Sequence, residues 1–224
     1  MDALHAQLVR PGQLVFDIGA HVGDRTGSFV RLGARVVAVE PQPLLFRALR
    51  LLYGRCDEVS LIPEAVGARI GSTQFHINAD NPTVSTASQA LIAAAAHDRA
   101  WRDQRWTQTL SVPVTTLDAL IKRYGEPDFV KVDVEGFEYE VLNGLSRHIP
   151  ALSFEFTTLQ RSVAMSCIDR LVSLGNYRFN VSFGEEHDLR FARWADAPSA
   201  RAFIGKLPDA VNSGDIFARL TEES

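Results

Sequence analysis

Three short apolar segments alternate with two amphipathic ones near the start of the chain, and this order constrains the fold most. Leu14–Ile18, Arg35–Val39 and Val59–Ile62 are rich in apolar and β-branched residues, as strands buried on both faces are. Between them, Asp24–Leu32 and Pro43–Tyr53 carry apolar residues at helical spacing. Strands that alternate with helices across short connections predict a parallel sheet wound by right-handed crossovers. The sequence therefore predicts an α/β fold.

The turn after the first predicted strand has the composition of a loop that binds a nucleotide-like ligand. Its glycines, Gly19 and Gly23, follow a G-x-x-x-G spacing, whereas a pyrophosphate loop has G-x-G-x-x-G. Asp17 before them would repel a phosphate but not a sulfonium or ammonium group. Glu40, after the second strand, lies where an acid accepts hydrogen bonds from vicinal ribose hydroxyls. Singly, Asp17 could be a helix N-terminal charge and Glu40 a solvated strand end; together they favour an adenosine site. The G-x-x-x-G spacing and Asp17 disfavour a nicotinamide-dependent oxidoreductase.

A second group of acids follows the predicted strand Phe129–Val134. Ligands of open α/β sheets bind outside the carboxyl ends of the strands, so Asp133 is expected to lie near Asp17 and Glu40. Asp133 is the first candidate for a catalytic or cofactor-orienting carboxylate. Glu135 is the second, Glu155 near the end of the predicted strand Ala151–Phe156 is the third, and His21 is a further candidate base.

Each of these acids has an alternative interpretation. Glu135 could only cap the next helix, Glu138 could face solvent, and Glu155 could be a buried, hydrogen-bonded acid. Asp133 and a neighbouring carboxylate could instead bind Mg²⁺, which prefers oxygen ligands. The sequence shows no compact ligand cluster, so a divalent metal is the less favoured possibility and no metal ligand is assigned.

The chain resembles the FkbM family of S-adenosylmethionine-dependent methyltransferases in a series of motifs. In order they are VFDIGAHVGDRTGSFV, VVAVEPQP, EAVG, NPTVSTAS, VPVTTLDAL and FVKVDVEGFEYEVLNG. The resemblance covers roughly Val15–Phe156, with a weaker similarity in Gly214–Arg219. It implies the class I methyltransferase Rossmann-like fold, a seven-stranded, mostly parallel sheet with an antiparallel last strand and helices on both faces.

The resemblance also implies roles for individual residues. Asp17 and Gly19 would approach the methionine part of the cofactor, Glu40 would hold the ribose, and Glu64-Ala65-Val66 would flank the adenine. The full predicted cofactor-binding set is Asp17, Gly19, Ala20, His21, Gly23, Glu40, Pro41, Ala65, Val66 and Asp133. His21 departs from the family, in which many relatives have Asn at this position.

The family is mainly associated with O-methylation of hydroxyls on sugars or natural products, so a small-molecule or saccharide acceptor is expected. An N-methyltransferase and a non-catalytic adenosyl-binding subunit are the alternatives. The second is disfavoured because Asp17, Glu40, Asp133 and Glu135 are all present.

Residues 81–109 interrupt the α/β pattern of what is otherwise predicted to be a single domain over residues 1–224. We expect a helix from Gln89 to about Arg105 that carries Trp101 and forms a lid or acceptor wall, with Ser85 and Thr86 at its entrance. It could instead pack on the core as a surface helix or form a homodimer contact. His187 could reach the acceptor, although a solvated hairpin is the simpler interpretation.

Composition excludes several classes of protein. The net charge of −4 argues against a general grip on nucleic acid. There is no signal-peptide pattern and no apolar run of the ~18–20 residues that a membrane span needs. Cys56 and Cys167 belong to no metal-binding motif, and we expect reduced thiols in a cytoplasmic protein.

Overall fold

A seven-stranded sheet forms the centre of the protein in the computed structural model, which describes residues 1–221. The strands of this sheet and of a smaller second sheet, numbered along the chain, are β1 (Leu14–Ile18), β2 (Arg35–Val39), β3 (Val59–Ile62), β4 (Ala65–Val66), β5 (Gly71–Ile77), β6 (Gln108–Thr115), β7 (Phe129–Val132), β8 (Ala151–Thr157), β9 (Tyr177–Phe183) and β10 (Ser213–Leu220). The order in the sheet is β3-β2-β1-β7-β8-β10-β9. Only β10 runs antiparallel to its neighbours, and the pairs on the β3 side of β8 are parallel. The predicted sheet is confirmed, including its antiparallel last strand.

Helices cover both faces of this sheet. They are α1 (Asp2–His5), α2 (Asp24–Arg31), α3 (Pro43–Tyr53), α4 (Gln89–Ala95), α5 (Leu117–Tyr124), α6 (Glu138–Asn143), α7 (Arg161–Leu174) and α8 (Ala197–Lys206). Along β1, Val15 packs on the side of α1–α3, whereas Phe16 and Ile18 pack on the side of α5–α8. This alternation follows from the two-residue period of a strand and explains why β1 is buried throughout.

A small three-stranded sheet, β4-β6-β5, lies beside the main one. Because of this sheet, the helix predicted within residues 81–109 is shorter than expected. The expected helix to Arg105 ends at Ala95, and residues from Gln108 onward belong to β6. Ser88 caps the helix by accepting from the Leu91 amide at 3.1 Å. Past the end of the helix, the Asp98 carboxylate accepts from the Ala100 amide at 2.8 Å, a local bond that competes with helix continuation.

Two further helices were not predicted. In α1, His5 stacks on Phe29 with ring centroids 4.4 Å apart and shares a 2.8 Å hydrogen bond with Ser28. Asp196 caps α8 by accepting from the Ser199 amide at 2.9 Å. No helix within residues 1–221 combines the length and apolar character needed to cross a membrane.

Candidate active site

A cavity of about 300 Å³ opens at the carboxyl ends of the central strands, where open α/β sheets bind ligands. Its walls come from the loops after β1, β2 and β7, the end of β8, the segment after β5 and the loop after β9. The lining residues are Gly19, Ala20, His21, Asp24, Arg25, Glu40, Pro41, Gln42, Phe75, Thr83, Ser85, Asp133, Val134, Glu135, Glu155 and Glu185. Eight of the predicted cofactor and catalytic residues therefore line one cavity. They are Gly19, Ala20, His21, Glu40, Pro41, Asp133, Glu135 and Glu155.

The glycine turn after β1 is folded back against β2 and β7. The amides of Gly19 and Ala20 both donate to the Val39 carbonyl, at 2.9 and 3.0 Å. Gly19 has φ 81°, and a Cβ there would lie 1.8 Å from the Asp133 carbonyl oxygen. Only glycine therefore allows this turn to lie against the end of β7.

Asp17 and Gly23 do not line the cavity. The Asp17 carboxylate accepts from the Thr26 hydroxyl at 2.6 Å, and burial raises its pKa. Gly23 has φ 96°, and a Cβ there would lie 2.4 Å from the Tyr53 ring. Both residues join the loop to α2 and α3, and their direct contact with a cofactor stays a prediction.

Glu40 is a buried carboxylate held in one orientation. Its two oxygens accept from the amides of His21 at 2.9 Å and Gln42 at 2.8 Å. It is 3% exposed, and burial raises its pKa to about 7 in spite of these hydrogen bonds. A carboxylate fixed in this way keeps lone pairs that can accept from a pair of ligand hydroxyls.

His21 has φ 53°, an uncommon value for a residue with a side chain. Its Nε2 is buried and has no hydrogen-bond partner within residues 1–221. Burial lowers the pKa of His21, so the imidazole is neutral near pH 7. The position that departs from the family pattern thus places an uncharged ring nitrogen beside the cavity.

Asp133, Glu135 and Glu155 form a carboxylate cluster on the opposite wall. One oxygen of each lies within 4.8 Å of the others. Burial would raise the pKa of Asp133, but the Lys131 ammonium, 3.0 Å from Oδ2, outweighs it and keeps that pKa below its usual value. Burial, followed by the charge of Asp133, raises the pKa of Glu155 and of Glu135. Asp133 is therefore the group that stays ionised, and its two neighbours favour the protonated state.

Three carboxylates at this spacing could also hold a divalent cation, which prefers oxygen ligands. Because Asp133 is already bonded to Lys131, and the other two acids favour the protonated state, we assign no metal ligand here.

Glu138 is buried rather than facing solvent, which corrects one interpretation of the sequence. Its Oε1 accepts from the amides of Val134 at 3.2 Å and Gly136 at 3.1 Å. It is 2% exposed, and burial raises its pKa to about 7. Glu138 stabilises the turn that presents Glu135, which itself has φ 54°.

The segment from Asn81 to Ser88 forms a wall that is bonded to the rest of the site. The Thr86 hydroxyl donates to the Glu135 carbonyl at 2.6 Å, and the Gln42 amide group donates to the Pro82 carbonyl at 3.2 Å. The Trp106 indole donates to the Val84 carbonyl at 2.8 Å. Ser85 lines the cavity as predicted, whereas Thr86 is buried behind it.

Sequence reasoning missed several lining residues, of which Arg25 is the most informative. Its guanidinium donates to both carboxylate oxygens of Glu185, at 2.8 and 3.1 Å, and so ties α2 to the loop after β9. His187 contacts the other side of Glu185, with Nε2 3.1 Å from Oε2. Arg25 lies two residues after the glycine turn, and this position could have identified it as a lining residue. Its partner Glu185 lies 160 residues away, so no pattern in the sequence indicated the ion pair.

Ala65 and Val66 line a smaller cavity of about 20 Å³ that shares Gly19, Pro41 and Phe75 with the main one. Their predicted place near an adenine stays a prediction.

The sheet order and the glycine turn define the class I methyltransferase fold, and solved structures share it. A precorrin-6y C5,15-methyltransferase from Geobacter metallireducens matches with a TM-score of 0.52 at 12% identity, over 98% of this chain and 85% of that one. Fibrillarin from Aeropyrum pernix, with natively bound S-adenosyl-L-methionine, matches with a TM-score of 0.50 at 11% identity, over 94% and 68% of the two chains. No curated protein matches the chain.

The family is shown by a direct sequence match. The model of the methyltransferase FkbM domain matches residues 17–203. The chain belongs to the FkbM family of methyltransferases, and S-adenosylmethionine-dependent methylation is the activity of its class.

Proposed function

We propose that the protein transfers the methyl group of S-adenosylmethionine to a hydroxyl of a saccharide or small natural product. One observation carries the proposal. A single cavity joins the glycine turn and the fixed carboxylate of Glu40 to an ionised carboxylate, Asp133, on its other wall. The glycine turn and Glu40 suit an adenosine ligand. Asp133 suits the hydroxyl of a methyl acceptor, which can donate a hydrogen bond and then lose its proton.

The residues present fit the cofactor. The turn from Gly19 to His21 would hold its methionine part, and Glu40 would accept from the ribose hydroxyls. Pro41, Ala65 and Val66, which line the small neighbouring cavity, would flank the adenine. When bound, S-adenosylmethionine supplies an electrophilic methyl group on a sulfonium.

The acidic wall would orient the acceptor and manage its proton. Alignment of reacting groups can supply as much as ~7–11 kcal/mol of the barrier. Asp133 is ionised and lines the cavity, so it is the group that can accept a hydroxyl proton. Glu135 and Glu155 favour protonation, so they can donate a hydrogen bond to another acceptor oxygen.

We also expect a small-molecule acceptor rather than a nucleic acid. The net charge is −4, and the cavity carries Glu40, Asp133 and Glu185 beside Arg25. A phosphate backbone would meet repulsion there. Cytoplasmic location, a homodimer and a lid role for residues 81–109 stay predictions.

A radiolabel screen tests the proposal. The protein is incubated with S-[methyl-³H]adenosylmethionine and separate pools of glycans, small alcohols, amines and RNA, with and without EDTA. We expect base-stable label, as a methyl ether, in a hydroxyl compound, and no effect of EDTA. Label on an amine would favour an N-methyltransferase. Loss of activity in EDTA would favour a metal-dependent reaction. Binding of the cofactor without methyl transfer would favour a non-catalytic adenosyl-binding subunit.

A further inference from the structure

We propose that Asp215 is a positioning residue that acts on Asp133 through the buried ammonium of Lys131. Asp215 would fix the orientation of the Asp133 carboxylate. It would also share the Lys131 ammonium, so that Asp133 keeps a net negative charge on the side that faces the cofactor. The inference rests on the proposed function, because it assigns Asp133 to the cofactor cavity.

The three side chains meet on one face of the sheet. Lys131 of β7 is level with Ser153 of β8, and Asp215 of β10 is level with Glu155, two residues further along β8. Residues level with each other on paired strands share a face, and so do residues two apart on one strand. Lys131, Asp133 and Asp215 therefore project to the same side.

Lys131 bridges the two carboxylates symmetrically. Its Nζ lies 3.0 Å from Oδ2 of Asp133 and 3.0 Å from Oδ1 of Asp215. The Lys131 side chain is 2% exposed, that of Asp215 15% and that of Asp133 31%. The ammonium is thus buried between a carboxylate that reaches the cavity and one that is more enclosed.

The second carboxylate determines how much charge Asp133 keeps. A buried ammonium with one carboxylate partner would form a neutral pair. Shared between two, it leaves the group of three with one net negative charge, and Asp133 is the member that lines the cavity. Nearby Arg25 is engaged by Glu185, in an ion pair of its own, so that cation is already compensated.

This charge should distinguish the cofactor from its product. S-adenosylmethionine carries a sulfonium, whereas S-adenosylhomocysteine has a neutral thioether in the same place. A negative charge at Asp133 stabilises the sulfonium form selectively, and a charge several ångströms away still has a measurable effect inside a protein.

Isothermal titration calorimetry with these two ligands tests the inference. The quantity of interest is the ratio of the Kd for S-adenosylhomocysteine to the Kd for S-adenosylmethionine. Asp215→Asn keeps the size and an acceptor oxygen but removes the charge, and we expect the ratio to fall by about threefold or more.

Further variants serve as controls. Asp215→Glu keeps the charge, so its ratio should stay within about twofold of wild type. Asp215→Ser removes the same charge with a smaller side chain, so its ratio should fall as in Asp215→Asn, and it tests the inference if Asp215→Asn does not fold. Glu126→Gln removes a carboxylate from a surface pair with Arg147, before the start of β7, and should leave the ratio unchanged.

The outcomes separate the two proposals. If the wild type binds both ligands and Asp215→Asn weakens them equally, or not at all, the inference is wrong while the proposed function stands. A ratio that falls as far in Asp215→Glu as in Asp215→Asn would also contradict it. If the wild type binds neither ligand, the cofactor assignment fails first, and the inference fails with it.

Discussion

Glu40 shows how a single buried side chain can select a ligand. Two backbone amides hold its carboxylate, so little conformational freedom is lost when hydroxyls bind. We expect Glu40→Ala to weaken binding of S-adenosylhomocysteine by about 10- to 100-fold, the range for a hydrogen bond to a charged group. Calorimetry measures it, with exposed Glu58→Gln as the matched control. Unchanged affinity would remove Glu40 from the cofactor site.

Asp133 is the residue on which catalysis should depend most. We expect Asp133→Asn to lower kcat by about 10²- to 10⁴-fold, because the amide cannot accept the acceptor's proton. The cofactor Kd should change far less than kcat. Steady-state kinetics with the acceptor from the radiolabel screen measures both, and Glu126→Gln is the control. Wild-type kinetics in the Asp133 variant would contradict the assignment.

Glu138 couples stability to pH. Burial raises the pKa of Glu138 in the folded protein to about 7, against an ordinary 4.5. The folded protein therefore binds this proton more tightly than the unfolded chain does. The stabilisation that results is lost as the pH rises from about 4.5 through about 7. Glu138→Gln keeps the oxygen that accepts from Val134 and Gly136. The melting temperature of the variant minus that of wild type should therefore increase from pH 5 to pH 8. A difference independent of pH would contradict the buried, protonated state.

At the scale of elements, the turn after β7 depends on a segment far away in sequence. Thr86 is fully buried; its hydroxyl donates to the Glu135 carbonyl and accepts from the Ser88 amide at 2.8 Å. We expect Thr86→Val to lower the free energy of unfolding by about 1–3 kcal/mol, because two buried groups lose their partner. Urea denaturation measures this, and exposed Thr107→Val is the control. An equal effect in both variants would show that the bond to Glu135 contributes nothing.

The elements could be predicted wherever local pattern determines them. The strands β1–β3 and helix α3 have the predicted bounds, because apolar runs and terminal glycines or prolines mark their ends. By contrast, β6 contains Pro113 and pairs with β5, more than thirty residues earlier, so nothing local identified it. The alanine-rich stretch after Ser88 predicted too long a helix because propensity alone does not stop it where packing ends.

At the scale of the whole molecule, the sequence located the site but not the partners of its charges. Strand ends and family motifs placed Glu40, Asp133 and Glu155 at one edge. The bond from Lys131 to Asp215 joins residues 84 apart, on strands β7 and β10 that lie on either side of β8. Such pairings depend on which strands become neighbours, and spacing in the sequence does not show this.

Thermal unfolding with added ligand tests the central claim most directly. At a concentration of S-adenosylmethionine or S-adenosylhomocysteine one hundred times its Kd, binding should stabilise the protein by about 2.7 kcal/mol. For a chain of this size that corresponds to a melting temperature higher by roughly 5–10 °C, whereas NAD should leave it unchanged. No increase with either adenosyl ligand at millimolar concentration, or an equal increase with NAD, would contradict the assignment of this cavity to S-adenosylmethionine.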